Sequence, residues 1–225
     1  MRRSLASLAF LLSANAAAAG LADLTNTDAT NGLRQALSEG SIAAVSKLGV
    51  ENGFFGNPQV KIPLPPSLKN VESGLRLIGM KKQADELVLT MNRAAEAAVP
   101  EAKQLLVDAV KKMSVQDAKG ILTGGQTAAT EYFKRTTQSD LGKRFLPIVK
   151  KATDRVGLAQ QYNSLAGQGA ALGLIKEDQA TIEAYVTQKT LDGLYHMIAE
   201  QEKAFRANPL GASSDIVKKV FGALR

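Results

Sequence analysis

The sequence predicts an all-α protein, a single bundle-like domain of about nine or ten helices with one short extended segment. Three observations carry that prediction. Apolar residues recur three and four positions apart through most of the chain, the spacing that sets them on one helix face. The composition is rich in Ala, Leu, Gln, Glu and Lys and contains no Trp, which favours helix over sheet. One main stretch, 49–66, breaks the helical period.

Residues 1–19 come first and stand apart. Arg2 and Arg3 give a positive start, 5–14 (LASLAFLLSA) is apolar, and Ala17-Ala18-Ala19 forms an A-x-A site before Gly20. That order predicts a secretory signal peptide, its apolar run too short to serve as an anchor. The single helical domain is then 20–225, with 20–27 as a leader. A first helix starts at Thr27 or Asp28 and turns Leu33, Leu37, Ala44, Val45 and Leu48 to one side. Within 49–66, Gly53-Phe54-Phe55-Gly56-Asn57-Pro58 predicts a turn. Val60, Ile62 and Leu64 then alternate before Pro65-Pro66, which predicts a short strand.

Helical spacing resumes over 67–79 through Leu68, Val71, Leu75 and Ile78, with Gly79 as the stop. It continues over 80–99 through Ala84, Leu87, Met91, Ala95 and Ala98. Pro100 fits the first turn of the next helix, which runs to Met113. Ser114 and Asp117 have capping-box spacing ahead of a short helix that ends at Gly124-Gly125. Two helices are expected next, one over 127–137 and one capped by Ser139 that reaches Val156 with a kink at Pro147. A small-residue helix over 159–172 follows. The longest helix, 178–207, is stopped by Asn208-Pro209. A last one starts near Ser214 and buries Ile216, Val217, Val220, Phe221 and Leu224.

The chain contains no Cys, so packing alone must hold an exported fold together, and the cysteine of a lipid-anchored form is missing. With Arg2 and Arg3 discounted the net charge is +5, spread as pairs such as Lys81-Lys82 and Lys150-Lys151. Such pairs beside acidic residues describe solvated helix faces, with attraction to anionic headgroups as the sharper alternative. No nucleic-acid motif occurs.

Asn92-Arg93-Ala94-Ala95-Glu96 is the most unusual string. Asn92, Arg93 and Glu96 sit three or four apart and can meet on a helix, and the two alanines admit a close neighbour. The group is either an ion pair locking two helices, an acid and a cation facing a ligand, or a plain surface pair. Asp117 to Gly125 could offer backbone N–H groups to an anion or simply turn the chain between helices. Phe54-Phe55 is either a core plug or an apolar tip for a membrane or partner. Tyr185, Lys189 and Asp192 could form a packed polar network or half a site.

Catalytic and metal chemistry have little to work with. His196 is the only histidine, which excludes a multi-His metal site, and no nucleophile, metal or cofactor motif occurs. No catalytic residue, metal or cofactor is therefore assigned.

Many of these strings, taken together, resemble one bacterial exported family catalogued as domain of unknown function 4197. They include Gly32-Leu33-Arg34-Gln35-Ala36-Leu37, Gly53 to Pro58, Ile62-Pro63-Leu64-Pro65, Asn92 to Glu96 and Asp117 to Gly125. Ala128 to Phe133, Phe145 to Val149, Tyr185 to Leu194 and Asn208-Pro209 extend the likeness over nearly all of 20–225. The resemblance implies a helical envelope protein and brings no activity, ligand or catalytic residue with it.

The leading expectation is a non-enzymatic periplasmic binding or interaction protein of the cell envelope. Its partner would be a small molecule or an envelope protein, without nucleic acid and with at most peripheral membrane contact. Asn92, Arg93, Glu96, Asp117, Lys119 and Tyr132 are the residues expected to line a polar pocket, provided that 80–98 packs on 115–137. One alternative is an envelope hydrolase using Glu96 or Asp117 as acid or base. Another is a peripheral lipid-contacting factor using Phe54 and Phe55.

Overall fold

A computed structural model describes residues 26–69, 81–171 and 180–208, together with Lys218 and Val220. The expected signal peptide, most of the 67–79 helix and nearly all of the last helix lie outside these residues. The described part is all-helical, with no strand. It forms six helical rods and one four-residue turn of helix, Pro66–Lys69, so among the described residues the expected nine or ten helices overstate the count.

The first rod, α1, is Asn26–Leu48. α2 is bent, its limbs Lys81–Ala98 and Ala102–Lys112 joined by a 3-10 turn at Val99–Glu101 that carries Pro100 in its first turn. α3 (Val115–Thr123) opens on the expected capping box: the Asp117 N–H donates to Ser114 Oγ at 3.0 Å, and the Ser114 N–H donates to Asp117 Oδ2 at 3.1 Å. α4 is Ala128–Thr153, α5 is Gly157–Ala171 and α6 is Ile182–Ala207.

α4 is one helix where two were expected. Ser139 lies inside it rather than capping a second helix. The hydroxyl-rich stretch at Thr136 and Thr137 does not break it, because those side chains donate to the Tyr132 and Phe133 carbonyls one turn back. Its buried positions include Ala129, Phe133, Thr137, Leu141, Phe145, Val149 and Thr153, a stride of four. Since four residues overshoot one turn, that stripe advances by about 40° per step and winds around the helix. α4 accordingly packs against both limbs of α2, against α3 and against α6. α1 crosses the second limb of α2, α3 and α6.

The core is apolar and holds Phe54, Phe133, Phe145, Leu33, Leu48 and Met91 fully buried. Phe54 comes from the loop after α1 and seats against α6 at Gly193. A Cβ on Gly193 would stand 2.7 Å from Phe54 Cε1, so only glycine admits the ring. At the loop's start Asn52 takes φ 66°, the left-handed region, and a Cβ on Gly53 would lie 2.3 Å from the Leu48 carbonyl oxygen.

The expected strand is not formed. Val60, Ile62 and Leu64 are buried and Lys61 and Pro63 exposed, as alternation requires, but the segment pairs with no other strand. A side chain does the pairing instead. Asn92 Oδ1 accepts from the Ile62 N–H at 2.9 Å, and Asn92 Nδ2 donates to the Ile62 carbonyl at 2.8 Å. One amide thus meets both backbone groups of one residue, and 59–66 becomes a strap across the bundle.

Candidate functional site

The Asn92–Glu96 string organises the loop and strap. Glu96, 5% exposed on α2, accepts the N–H groups of Phe54 and Phe55 on Oε1, each at 3.0 Å. Its Oε2 accepts from Arg93 Nη1 at 2.6 Å. Arg93 Nη2 reaches on to Asn52 Oδ1 at 3.0 Å and Glu51 Oε1 at 3.1 Å. A buried carboxylate with two backbone donors and a guanidinium has its charge fully compensated. That arrangement anchors a loop, with the carboxylate almost wholly shielded from solvent.

Phe54 and Phe55 part company. Phe54 is wholly buried. Phe55 is half-buried, with Lys61 Nζ 4.0 Å from its ring centre on one side and the Arg93 guanidinium at 5.8 Å. The exposed aromatic pair that a membrane tip needs is absent here.

Asp117, Lys119 and Tyr132 form no pocket with Asn92, Arg93 and Glu96. The first limb of α2 packs on α4 rather than on α3, which sits between α1 and α4. Asp117 is occupied in the capping box, and hydrogen bonds from Ser114, side chain then backbone, hold its carboxyl below the ordinary 3.8. Arg135 stands 3.4 Å from it. Lys119 points to solvent. The Tyr132 hydroxyl donates to the Ala109 carbonyl at 2.8 Å, and burial raises its pKa. An acid–base catalyst needs an accessible carboxyl with a raised pKa. Glu96 lacks the access and Asp117 the shift.

Two other buried carboxylates carry little local sequence signal. Glu202 on α6, 3% exposed, accepts the N–H groups of Ala129 and Thr130 at 3.0 Å each, and Arg206 Nη2 pairs with it at 3.0 Å. It caps α4 from another helix, where Thr127 makes no side-chain cap. Glu183 accepts from Asn163 Nδ2 at 2.9 Å and meets the Thr153 hydroxyl at 3.2 Å, tying α5 to the start of α6. Sequence spacing gives only the Glu202–Arg206 pair at four residues; the other partners are 20 to 73 residues away.

An open space does exist on the other side of the strap. A groove of about 700 Å³ runs between 59–66 and α6. Lys61, Tyr185, Lys189, Asp192 and His196 are among its lining residues, together with Val60, Pro63 and Leu64. The Tyr185 hydroxyl donates to the Pro63 carbonyl at 3.2 Å and so pins the strap to α6. Burial, with Tyr162 and Asp192 adding, pushes its pKa up to about 12, so it serves as a fixed donor. Lys189 is 3.5 Å from Asp192 Oδ2, while Gln188 donates to Asp192 Oδ1 at 2.8 Å. Spacing leaves the string from Tyr185 to Asp192 open as a packed polar network or half a site, and it gives no sign of the facing wall, Lys61 and the prolines of the strap.

Among the described residues, no group of three His, Asp or Glu side chains is placed to hold a metal ion. No described helix is long and apolar enough to cross a membrane. A family model described as protein of unknown function (DUF4197) matches residues 23–222. No curated protein and no solved structure matches the chain.

Proposed function

For a chain that belongs to the DUF4197 family, whose description assigns no activity, we propose a non-enzymatic binding role with the ligand in the groove between the strap and α6. The observation that carries this reading is the groove itself. It is about 700 Å³, open, and lined by a few polar groups among apolar ones, the usual form of a small-molecule site. The polar groups suit holding rather than reacting. Tyr185 is a fixed donor, and Lys189 stands half-exposed 3.5 Å from Asp192. The setting in this reading is the periplasm, supported by Arg2-Arg3, the apolar run 5–14 and the A-x-A site.

Amide chemical-shift mapping against a library of small molecules tests it. Hits are expected to move the amides of 59–64 and of 185–196. Hits that map only elsewhere, or a library without hits, would overturn the reading.

A further inference from the structure

We infer that the groove takes a small amphiphile with a carboxylate or phosphate head, the head on Lys61 and Lys189 and the apolar body along Pro63, Leu64 and Pro66. This rests on the groove being the ligand site, and it adds the chemical class.

Charge argues for the head. Three groups that can be cationic or donate hydrogen bonds, Lys61, Lys189 and His196, line the groove against one carboxylate, Asp192. That carboxylate is already shared between Lys189 and Gln188. Lys61 sits over the face of Phe55 and makes no described ion pair. An ammonium held on an aromatic face keeps its remaining donors for an incoming anion.

The strap argues against an added peptide strand as occupant. Pro63, Pro65 and Pro66 carry no N–H. The N–H groups of Val60 and Lys61 both go to the Asn57 carbonyl. Both backbone groups of Ile62 are held by Asn92, and the Pro63 carbonyl is taken by Tyr185. With these groups engaged, the strap has few N–H groups left for a partner strand, and recognition falls to side chains. The exposed rings of Pro63 and Pro66, with Leu64, give those side chains an apolar wall. A headgroup with a short hydrocarbon body satisfies both parts.

The test is titration of the full domain, followed by amide chemical shifts, with decanoate, decyl phosphate, decyl maltoside and decyltrimethylammonium below their micelle concentrations. The two anions are expected to move the amides of 59–64 and 185–196 and to bind at least tenfold tighter than the neutral and cationic probes. Comparing the two anions tells a carboxylate site from a phosphate site. Lys61→Glu/Lys189→Glu is expected to abolish the preference with an unchanged helical circular dichroism spectrum, and Lys103→Glu, an exposed reversal elsewhere, to retain it. Equal binding of the neutral probe at the same amides would overturn the anionic head while leaving the groove reading intact. Shifts confined to other surfaces would overturn both. Co-sedimentation with phosphatidylglycerol vesicles, lost in the same double variant, would assign the lysines to a bilayer surface and overturn the soluble amphiphile.

Discussion

Replacing Glu96 with alanine strands the amides of Phe54 and Phe55 and takes from Arg93 its buried partner, leaving only the exposed Glu51, so its cost belongs to the class of broken buried pairs, about 3 kcal/mol. Arg93→Ala is milder, about 1 kcal/mol, because Arg93 is 34% exposed and water replaces part of what it gave. Thermal melts check the order: a drop of roughly 6–12 °C for Glu96→Ala, and clearly less for Arg93→Ala. Equal drops would mean that the ion pair, not the loop amides, dominates. Gly193→Ala drives a methyl into the Phe54 ring and is expected to cost about 1–3 kcal/mol by overpacking. Phe54→Leu in the same chain should return part of it, so the double variant is more stable than the two single losses added. The sequence showed that Arg93 and Glu96 could meet, since helix spacing fixes that. It did not show the amides that Glu96 holds 41 and 42 residues away, because only the tertiary fold brings them near.

Helix starts in this chain are set in two ways, and only one can be read locally. α3 is capped from its own sequence by Ser114 and Asp117, and that spacing was legible. Asp117's carboxyl is depressed below 3.8 in the folded chain, so its contribution to stability is complete above that value and fades as pH falls through the lower folded value. The gap in urea midpoint between wild type and Asp117→Asn is therefore expected to be widest near neutral pH and to close under acid. A gap independent of pH would show that the charge contributes nothing. α4 is capped by Glu202, 72 and 73 residues further on, and no local signal marks it. Glu202→Ala is expected to speed hydrogen exchange at Ala129 and Thr130 well beyond its effect on amides in the middle of α4. The false boundary at Ser139 has a related cause. A serine among threonines looks like a cap in one dimension, yet here the buried stripe of Phe133, Thr137, Leu141 and Phe145 runs straight past it. The strap misled in the opposite direction, its alternation being genuine while its partner was the side chain of Asn92.

At the scale of the molecule, the all-helical class was legible because burial periodicity is a local property. The groove was not, because its two walls lie more than a hundred residues apart. α6 is where distant pieces converge. It provides the seat for Phe54 at Gly193, the anchor for the strap at Tyr185 and the cap for α4 at Glu202. A chain ending at residue 181 lacks all three and is expected to lose most of its helical circular dichroism signal; a truncated chain with a near-native spectrum would show that the earlier helices close on their own. Wherever the chain folds, then, Phe54 lacks its seat and the start of α4 its cap until α6 is present, so closure of the bundle is expected to wait for the last-made of the described helices.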